Sequence, residues 1–346
     1  MDGLTIVTGG AGFIGSHLVA QLVDSGQAVR VVERPGAAVD HLPPAVEVVF
    51  ADIRDRRGLA AAMAGARRVY HLAANPNLWV RKRAEFLAVN YQGTIHVLDA
   101  ALEAGADRVL HTSTESILTK AGATGPIDEN VEIHLSETVG PYCRSKLLAE
   151  QYAFELARAG SPVVVANPTM PVGPGDRGLS PPTRLILDFC RGRLPAVLDC
   201  TLNLIDVRDV ALGLRLIMQR GRPGRRYLLG NENLTLLGLL QRLSALTGVP
   251  VPRWRVPYWV GLTVAALSEF WADAVTGRTP KATLTGLRLA RRIMHFDSSV
   301  SRAEIGLQPR SIAEALADAV SWLRCSGYLT SPIRRSDSNR SCARPN

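Results

Sequence analysis

The sequence has little of what marks a metal-binding, secreted or membrane-spanning protein. Its 346 residues include five cysteines, with no Cys-x-x-Cys spacing and no histidine at a metal-ligand spacing from them. We therefore expect reduced thiols and no zinc site. No apolar run approaches the roughly 20 residues that cross a bilayer, and the first strand-like run begins at about residue 4, which leaves no room for a signal peptide. Together these absences predict a cytoplasmic globular protein.

Positive charge is in excess, but it is not organised for a nucleic acid. The chain has 40 Lys and Arg against 31 Asp and Glu, a formal net charge of +9. In residues 331–346, four arginines against one aspartate account for +3, which leaves +6 in short clusters along the rest of the chain. No basic helix face is visible, so we expect no nucleic-acid partner. Segment 329–346 is rich in Ser, Arg and Pro and is predicted to be a disordered basic tail.

The most specific motif is a glycine turn near the N-terminus, Thr-Gly-Gly-Ala-Gly-Phe-Ile-Gly at residues 8–15. It follows an apolar, strand-like run (Leu4–Val7) and opens a helical pattern. Gly9 permits a tight turn, Gly12 lets the backbone approach a pyrophosphate, and Gly15 lets the helix pack close to the strand. The N-terminus of the helix offers unpaired N–H groups to the phosphates. The motif therefore predicts a dinucleotide-binding site.

A tyrosine and a lysine stand one helical turn apart in the middle of the chain. Tyr142 and Lys146 lie at i and i+4 of a helical pattern, so both side chains project from one face. A lysine ammonium beside a phenol favours the phenolate, which brings proton transfer into a useful pH range. The pair predicts an acid–base site; the alternative is an ordinary surface pair of tyrosine and lysine.

Three hydroxyl residues end the strand-like run that precedes this helix. The run begins at Arg108 and finishes with Thr112, Ser113 and Thr114, and ligands collect at the carboxyl ends of parallel strands. Thr114 is the first candidate for hydrogen-bonding a substrate oxygen and Ser113 the second. The alternative is that all three hydroxyls satisfy local backbone groups.

The order of these motifs resembles that of the extended short-chain dehydrogenase/reductase family, in the NAD-dependent epimerase/dehydratase superfamily. The resemblance runs from residue 5 to about 325. It implies that Tyr142 donates or takes the proton of the reacting alcohol, that Lys146 also holds the nicotinamide ribose, and that Thr114 binds the substrate oxygen. The C-terminal part resembles the branch that holds dihydroflavonol reductases, 3β-hydroxysteroid dehydrogenases and hopanoid-associated sugar epimerases.

The resemblance implies an NAD(P)-dependent oxidoreductase that transfers a hydride to or from the carbon of a secondary alcohol or ketone. A small-molecule substrate with a lipid-like or polycyclic skeleton is the first hypothesis. A nucleotide-sugar epimerase that retains its NAD and a non-catalytic NAD(P)-sensing regulator are the alternatives. Sugar-nucleotide 4,6-dehydratases carry Thr-Asp-Glu where this chain has Thr114, Glu115 and Ser116, so the missing second acid argues against a dehydratase.

Strand-like and helix-like segments alternate through the chain, as they do in doubly wound α/β proteins. We predict a doubly wound parallel sheet of the Rossmann type with a smaller, mostly helical C-terminal substrate lobe. The dinucleotide-binding core would span residues 1–170, with later strands from about 200–232. The substrate lobe would take residues 171–199 and 233–328.

The identity of the cofactor depends on the end of the second predicted strand. An acid there binds the ribose hydroxyls of NAD, whereas an arginine accommodates the phosphate of NADP. The chain has Glu33 followed by Arg34, and we favour NAD over NADP. The resemblance adds cofactor contacts at Phe13, Ile14, Asp52, Ile53, Leu72, Ala73 and Ala74, and substrate contacts at Asn75 and Asn167.

An apolar run near the C-terminus, residues 256–271, predicts a buried helix. A contact with one leaflet of a membrane, or an apolar substrate pocket, is the alternative. Members of the family commonly dimerise through the long helices that flank the fourth and fifth strands, so the resemblance also implies a homodimer.

Overall fold

A computed structural model describes residues 3–122, 125–280 and 282–329. The strands are β1 Leu4–Thr8, β2 Val29–Glu33, β3 Glu47–Phe50, β4 Ala66–His71, β5 Arg108–Thr112, β6 Val163–Pro168, β7 Met170–Val172, β8 Thr201–Asp206, β9 Arg226–Leu229 and β10 Glu232–Thr235. Valine recurs in them because β-branched side chains pack well on a pleated surface. Strand β6 is buried along its whole length, which is typical of a parallel strand covered on both faces.

The helices follow the strands in alternation through most of the chain. The helices are α1 Phe13–Asp24, α2 Arg56–Ala62, α3 Ala84–Phe86, α4 Gly93–Glu103, α5 Gly140–Arg158, α6 Pro181–Cys190, α7 Val207–Arg220, α8 Leu236–Thr247, α9 Tyr258–Trp271, α10 Leu284–Ala290, α11 Ser299–Ile305 and α12 Ile312–Cys325. Two π-helical turns extend them: Leu87–Gln92 joins α3 to α4, and Ala272–Thr276 follows α9.

Seven strands form one parallel sheet in the order β3-β2-β1-β4-β5-β6-β9. Helices α1 and α7 cover one face, and α2, α4 and α5 cover the other. The predicted doubly wound parallel sheet is therefore confirmed. The strand order reverses between β1 and β4, and such a reversal opens a crevice at the carboxyl ends of the strands.

A second, three-stranded sheet carries the C-terminal part of the structure. Strand β8 pairs with β7 in parallel and with β10 in antiparallel orientation. Helices α6, α8 and α12 pack with this sheet around a separate apolar core. Strand β7 begins two residues after β6 ends, so the second sheet starts directly beside the carboxyl end of the main one.

The prediction of a buried helix at residues 256–271 was wrong. Helix α9 forms, but Ala265 is its one buried residue. The helix packs against α10 on one narrow side, where a Cβ on Gly261 would lie 3.0 Å from Leu287. Apolar composition predicts burial only where a second layer covers the helix, and in the described residues none covers the outer side of α9.

The cysteines are partly as expected. Cys143, Cys190 and Cys200 are free thiols, whereas Cys325 forms a disulfide, against the prediction. Spacing along the chain does not reveal which cysteine Cα atoms approach within the roughly 4–7 Å that a disulfide needs. The described residues contain no cluster of metal ligands and no helix long and apolar enough to cross a membrane. The predicted tail lies almost wholly outside the described residues.

Candidate active site

The glycine turn lies between β1 and α1, at the crevice where the strand order reverses. Gly9 has φ +72°, the left-handed region that glycine adopts at no steric cost. A Cβ on Gly15 would lie 2.2 Å from the carbonyl oxygen of Gly9, so α1 packs on the turn too closely for a side chain. Gly12 is the N-cap of α1, and no side chain caps the first turn, which contains Phe13 and Ile14. The uncapped N–H groups fit a phosphate.

Glu33, the last residue of β2, directs its carboxylate to this turn. Its Oε1 accepts a hydrogen bond from the N–H of Ala11 at 2.9 Å. The next residue, Arg34, is exposed. A carboxylate beside the turn suits ribose hydroxyls and repels a phosphate. The local geometry therefore fits NAD.

Asp52 and Ile53 follow the end of β3. A hydrogen-bonded ion pair with Arg54 lowers the pKa of Asp52, and Nη2 of Arg54 lies 2.5 Å from Oδ2 of Asp52. Ile53 is buried against the start of α4, where a Cβ on Gly93 would lie 2.7 Å from its Cδ1. Their contact with the adenine stays a prediction.

The segment after β4 lies directly against the glycine turn. Leu72 donates its N–H to the carbonyl oxygen of Thr8 at 3.1 Å, and Ala73 donates its N–H to Oγ1 of Thr8 at 3.3 Å. A Cβ on Gly9 would lie 2.7 Å from the backbone nitrogen of Ala73. Ala73 and Ala74, both partly exposed, thus continue the crevice wall beside the turn.

A buried histidine ties this wall to the helix behind it, and sequence reasoning did not single it out. Nδ1 of His71 lies 2.8 Å from Oγ1 of Thr8, and Nε2 lies 2.9 Å from Oγ1 of Thr94. Because Oγ1 of Thr94 donates to the carbonyl oxygen of Asn90, it accepts the Nε2–H of His71. Burial lowers the pKa of His71 to about 3. The ring is therefore a neutral link between strand and helix.

Asn90 is a second residue whose role sequence reasoning missed. It lies in the π-helical turn Leu87–Gln92 and is fully buried. Its Oδ1 accepts the N–H of Asn75 at 2.7 Å, and its Nδ2 donates to the carbonyl oxygen of Asn75 at 3.1 Å and to Oγ of Ser145 at 3.2 Å. π-turns inside helices recur at functional sites. Asn90 holds the crevice wall to helix α5.

Asn75, predicted to contact the substrate, is hydrogen bonded within the turn after β4. Its side-chain oxygen accepts hydrogen bonds from the backbone N–H and the side chain of Asn77, and its Nδ2 donates to Glu85 at 2.9 Å. These bonds shape the turn after β4. A role of Asn75 toward the substrate stays a prediction.

Tyr142 and Lys146 lie on α5 and are both buried. The ring of Tyr142 stands edge-on to Phe86, with ring centroids 6.1 Å apart. Nζ of Lys146 donates to the carbonyl oxygen of Thr112 at 2.8 Å, and burial lowers the pKa of Lys146 to about 8, while Glu150 acts in the opposite direction. The lysine side chain thus runs beneath the end of β5.

The expected lowering of the Tyr142 pKa is not found in this structure. Burial raises the pKa of Tyr142, and the neighbouring Cys143 and Glu115 raise it further, while the neighbouring Thr114 side chain acts in the opposite direction. Lys146 points to the β5 carbonyl instead. A cation can lower the pKa of the phenol only where it outweighs this desolvation.

Thr114 lies where the sequence predicts it, at the end of β5 and beside Tyr142. Its hydroxyl donates to Oε2 of Glu115 at 2.8 Å and caps the short helical turn Glu115–Leu118. Burial raises the pKa of Glu115 to about 7. The site therefore contains a carboxyl group that titrates near neutral pH.

Asn167, predicted to contact the substrate, is fully buried. Its Nδ2 donates to the carbonyl oxygen of Thr114 at 3.0 Å and to Oε2 of Glu150 at 2.7 Å. Glu150 in turn pairs with Arg226 of β9, whose Nη2 lies 2.5 Å from Oε1. This network positions the Thr114 backbone from behind the site. A direct contact of Asn167 with the substrate stays a prediction.

The sequence model of the NAD dependent epimerase/dehydratase family matches residues 5–230. The chain belongs to this family. Its members depend on NAD, so the predicted nicotinamide-dependent enzyme of the extended short-chain dehydrogenase type is confirmed at that level. The glycine turn, Glu33 and the uncapped first turn of α1 are the parts of this family member that fit the cofactor.

Relatives match over nearly their whole length. A Synechocystis protein named provisionally as a dihydroflavonol 4-reductase is 38% identical over 93% of this chain and 95% of its own. The sterol demethylase protein B of Methylococcus capsulatus is 36% identical over 94% of this chain and 99% of its own. The crystal structure of gox2253 has a TM-score of 0.84 at 33% identity, covering 94% of this chain and 99% of that one.

Proposed function

We propose that this family member is an NAD-dependent dehydrogenase or reductase that interconverts a secondary alcohol and a ketone on an apolar, lipid-like or polycyclic skeleton. The arrangement of Thr114, Tyr142 and Lys146 supports the reaction. When bound, the nicotinamide supplies or accepts the hydride at the carbon. The protein residues must then hold the substrate oxygen and move one proton.

In the direction of reduction, the phenol of Tyr142 gives its proton to the carbonyl oxygen as that oxygen becomes an alcohol. The hydroxyl of Thr114, which lies beside Tyr142, orients the same oxygen. Lys146, whose Nζ donates to the carbonyl oxygen of Thr112 at the end of β5, is placed to hold ribose hydroxyls of the cofactor. In the direction of oxidation the proton returns to Tyr142.

One observation carries the proposed substrate class: Tyr142 belongs to an apolar cluster built from both parts of the chain. We infer that the walls of the site next to this cluster are apolar as well; apolar walls favour an apolar skeleton, whereas a nucleoside diphosphate needs cationic partners. The cluster includes Phe86, Ile117, Leu147, Leu289, Met294 and Phe296. The sterol-related name of one relative at 36% identity supports the same class.

The reaction is tested by following NADH consumption with a panel of sterol-like, terpenoid and phenolic ketones. Tyr142→Phe should lower kcat by at least 100-fold, because general acid catalysis contributes about 10²–10⁴, and should leave NADH affinity unchanged. Tyr152→Phe is the matched control on the same helix, since the Tyr152 hydroxyl bonds Asp99 and should hardly affect kcat.

The epimerase hypothesis predicts a retained cofactor and no net consumption of NADH. Protein purified without added cofactor would release close to one equivalent of NAD on denaturation, and it would convert a nucleotide sugar to its epimer with no net consumption of NADH. That result would overturn the proposed reductase. Reversible binding of NADH with ketone-dependent oxidation would support it.

A further inference from the structure

Helix α9 and the π-helical turn after it present a wide apolar surface to solvent. Six large side chains on it are between 53% and 70% exposed, and we call them the apolar face. A helix advances about 100° per residue, so the five that lie in α9 fall on one side, opposite the buried Ala265. The apolar face consists of Trp259, Val264, Leu267, Phe270, Trp271 and Val275.

The apolar face is rich in the aromatic residues that favour a boundary between water and hydrocarbon. The chain has five tryptophans, and Trp259 and Trp271 lie on the face. A third, Trp254, lies four residues before α9 and is 77% exposed. Tryptophan concentrates at membrane interfaces because one part of its ring system is apolar and its N–H is polar.

Arginines stand at both ends of the apolar face. At its start, Arg253 and Arg255 are exposed on either side of Trp254, and the guanidinium of Arg291 lies 5.1 Å from the ring centroid of Tyr258. At its end, a Cβ on Gly277 would lie 3.3 Å from the guanidinium of Arg81. Arg278 follows directly and is exposed.

The acids of this helix are engaged on its other side. Nη2 of Arg83 lies 3.0 Å from Oδ2 of Asp273 and 3.6 Å from Oε2 of Glu269. The charges around the apolar face are therefore mainly positive. Apolar and aromatic side chains with a basic border are the pattern of helices that lie in the plane of an anionic membrane surface.

We propose that the apolar face docks on the surface of an anionic lipid bilayer, with the tryptophans at the level of the head groups. The basic border favours an anionic bilayer over a second copy of the chain as the partner of the apolar face. Both ends of α9 carry arginines, so two copies would oppose arginine to arginine whether their helices ran parallel or antiparallel. An anionic surface instead pairs with every one of them.

The apolar face is connected to the active site through helix α10. Helix α10 packs against α9, and its Thr285 lies so close to the start of α5 that a Cβ on Gly140 would be 2.5 Å from its Oγ1. Gly140 is two residues before Tyr142. A docked molecule would hold the catalytic helix near the bilayer, which suits the proposed apolar substrate, although the docking itself does not depend on that substrate.

The test is flotation of the full chain with vesicles, without substrate or turnover. Wild type should bind vesicles of phosphatidylcholine with 30% phosphatidylglycerol, and binding should fall at least tenfold in pure phosphatidylcholine or at 0.5 M salt. The double variant Leu267→Ser, Phe270→Ser should lose binding at least tenfold. Val300→Ser, which changes an exposed valine on α11 (54% exposed), is the matched control and should bind as wild type does.

Several outcomes would overturn the proposal. One is wild type that stays entirely unbound to anionic vesicles at low salt, or that binds neutral vesicles equally well. Another is light scattering that shows a dimer which Phe270→Ser converts to a monomer, with no vesicle binding; the face would then join two copies. Circular dichroism checks that the variants fold. Vesicle flotation does not measure ketone reduction, so a negative result would overturn the docking proposal without bearing on the proposed function.

Discussion

The hydroxyl of Thr114 donates to Oε2 of Glu115 at 2.8 Å, beside the phenol of Tyr142. A hydroxyl has one proton to donate. While Glu115 is ionised it attracts that proton; once Glu115 is protonated, it can donate to Thr114 and leave the Thr114 proton to Tyr142 or to a substrate oxygen. The charge of Glu115 therefore determines where the proton of Thr114 points, which matters for the proposed role of Thr114 toward the substrate oxygen.

The first prediction concerns stability and pH at Glu115. Burial raises the pKa of its carboxyl to about 7, above the value near 4.5 in an unfolded chain. Above pH 7 the native state therefore carries a desolvated charge that costs free energy, and below pH 4.5 it carries none. Glu115→Gln should raise the free energy of unfolding at pH 8 by about 1–3 kcal/mol, with a much smaller gain at pH 5.

Denaturant titrations of both proteins at pH 5 and pH 8 measure this difference. Glu137→Gln is the control, because a backbone hydrogen bond lowers the pKa of that partly exposed carboxyl, and the variant should not gain stability as the pH rises. An equal effect of Glu115→Gln at the two pH values would contradict the shifted pKa.

The second prediction concerns the choice of cofactor. Glu33→Ala removes the carboxylate beside the glycine turn, and Arg34 remains to attract a phosphate. The ratio of kcat/KM for NADH to that for NADPH should fall at least tenfold, which corresponds to about 1.4 kcal/mol. Arg34→Ala is the matched control and should not lower the ratio. A wild-type preference for NADPH would refute the assignment of Glu33.

The third prediction concerns the close approach at Gly15. An added Cβ would stand 2.2 Å from the carbonyl oxygen of Gly9, and backbone cannot move aside as a flexible side chain can. Gly15→Ala should destabilise the fold by about 1–3 kcal/mol and weaken NADH binding. At Gly178 a Cβ would meet its nearest atom at 3.7 Å, so Gly178→Ala should change neither quantity.

The fourth prediction concerns Asn90. Asn90→Ala leaves the N–H and carbonyl oxygen of Asn75 without their side-chain partners, at a cost of about 1–3 kcal/mol for each buried group left unpaired. Thermal unfolding should show the loss, and kcat should fall because α5 and the crevice wall lose their link. Asn77→Ala removes only a partly exposed partner of Asn75 and should cost less than half as much. Equal losses in the two variants would contradict the role of Asn90.

The sequence alone determined the features that depend on neighbours along the chain. Gly9, Gly12 and Gly15 specify a turn because their backbone angles and lack of side chains are local properties. Tyr142 and Lys146 share a helix face because their spacing is that of one turn. The alternation of apolar strands with helices was enough to predict the doubly wound sheet, because the apolar periodicity of each strand or helix is a property of its own segment of the chain.

Only the tertiary structure decided properties that depend on which elements meet. Asn90 holds Asn75 because a π-turn brings it to α5, and the pKa of Glu115 reflects burial by residues distant in the chain. The exposure of α9 is the clearest case. Its composition resembles that of a core helix, but burial requires a partner layer, and the described residues supply one only on the side of Ala265.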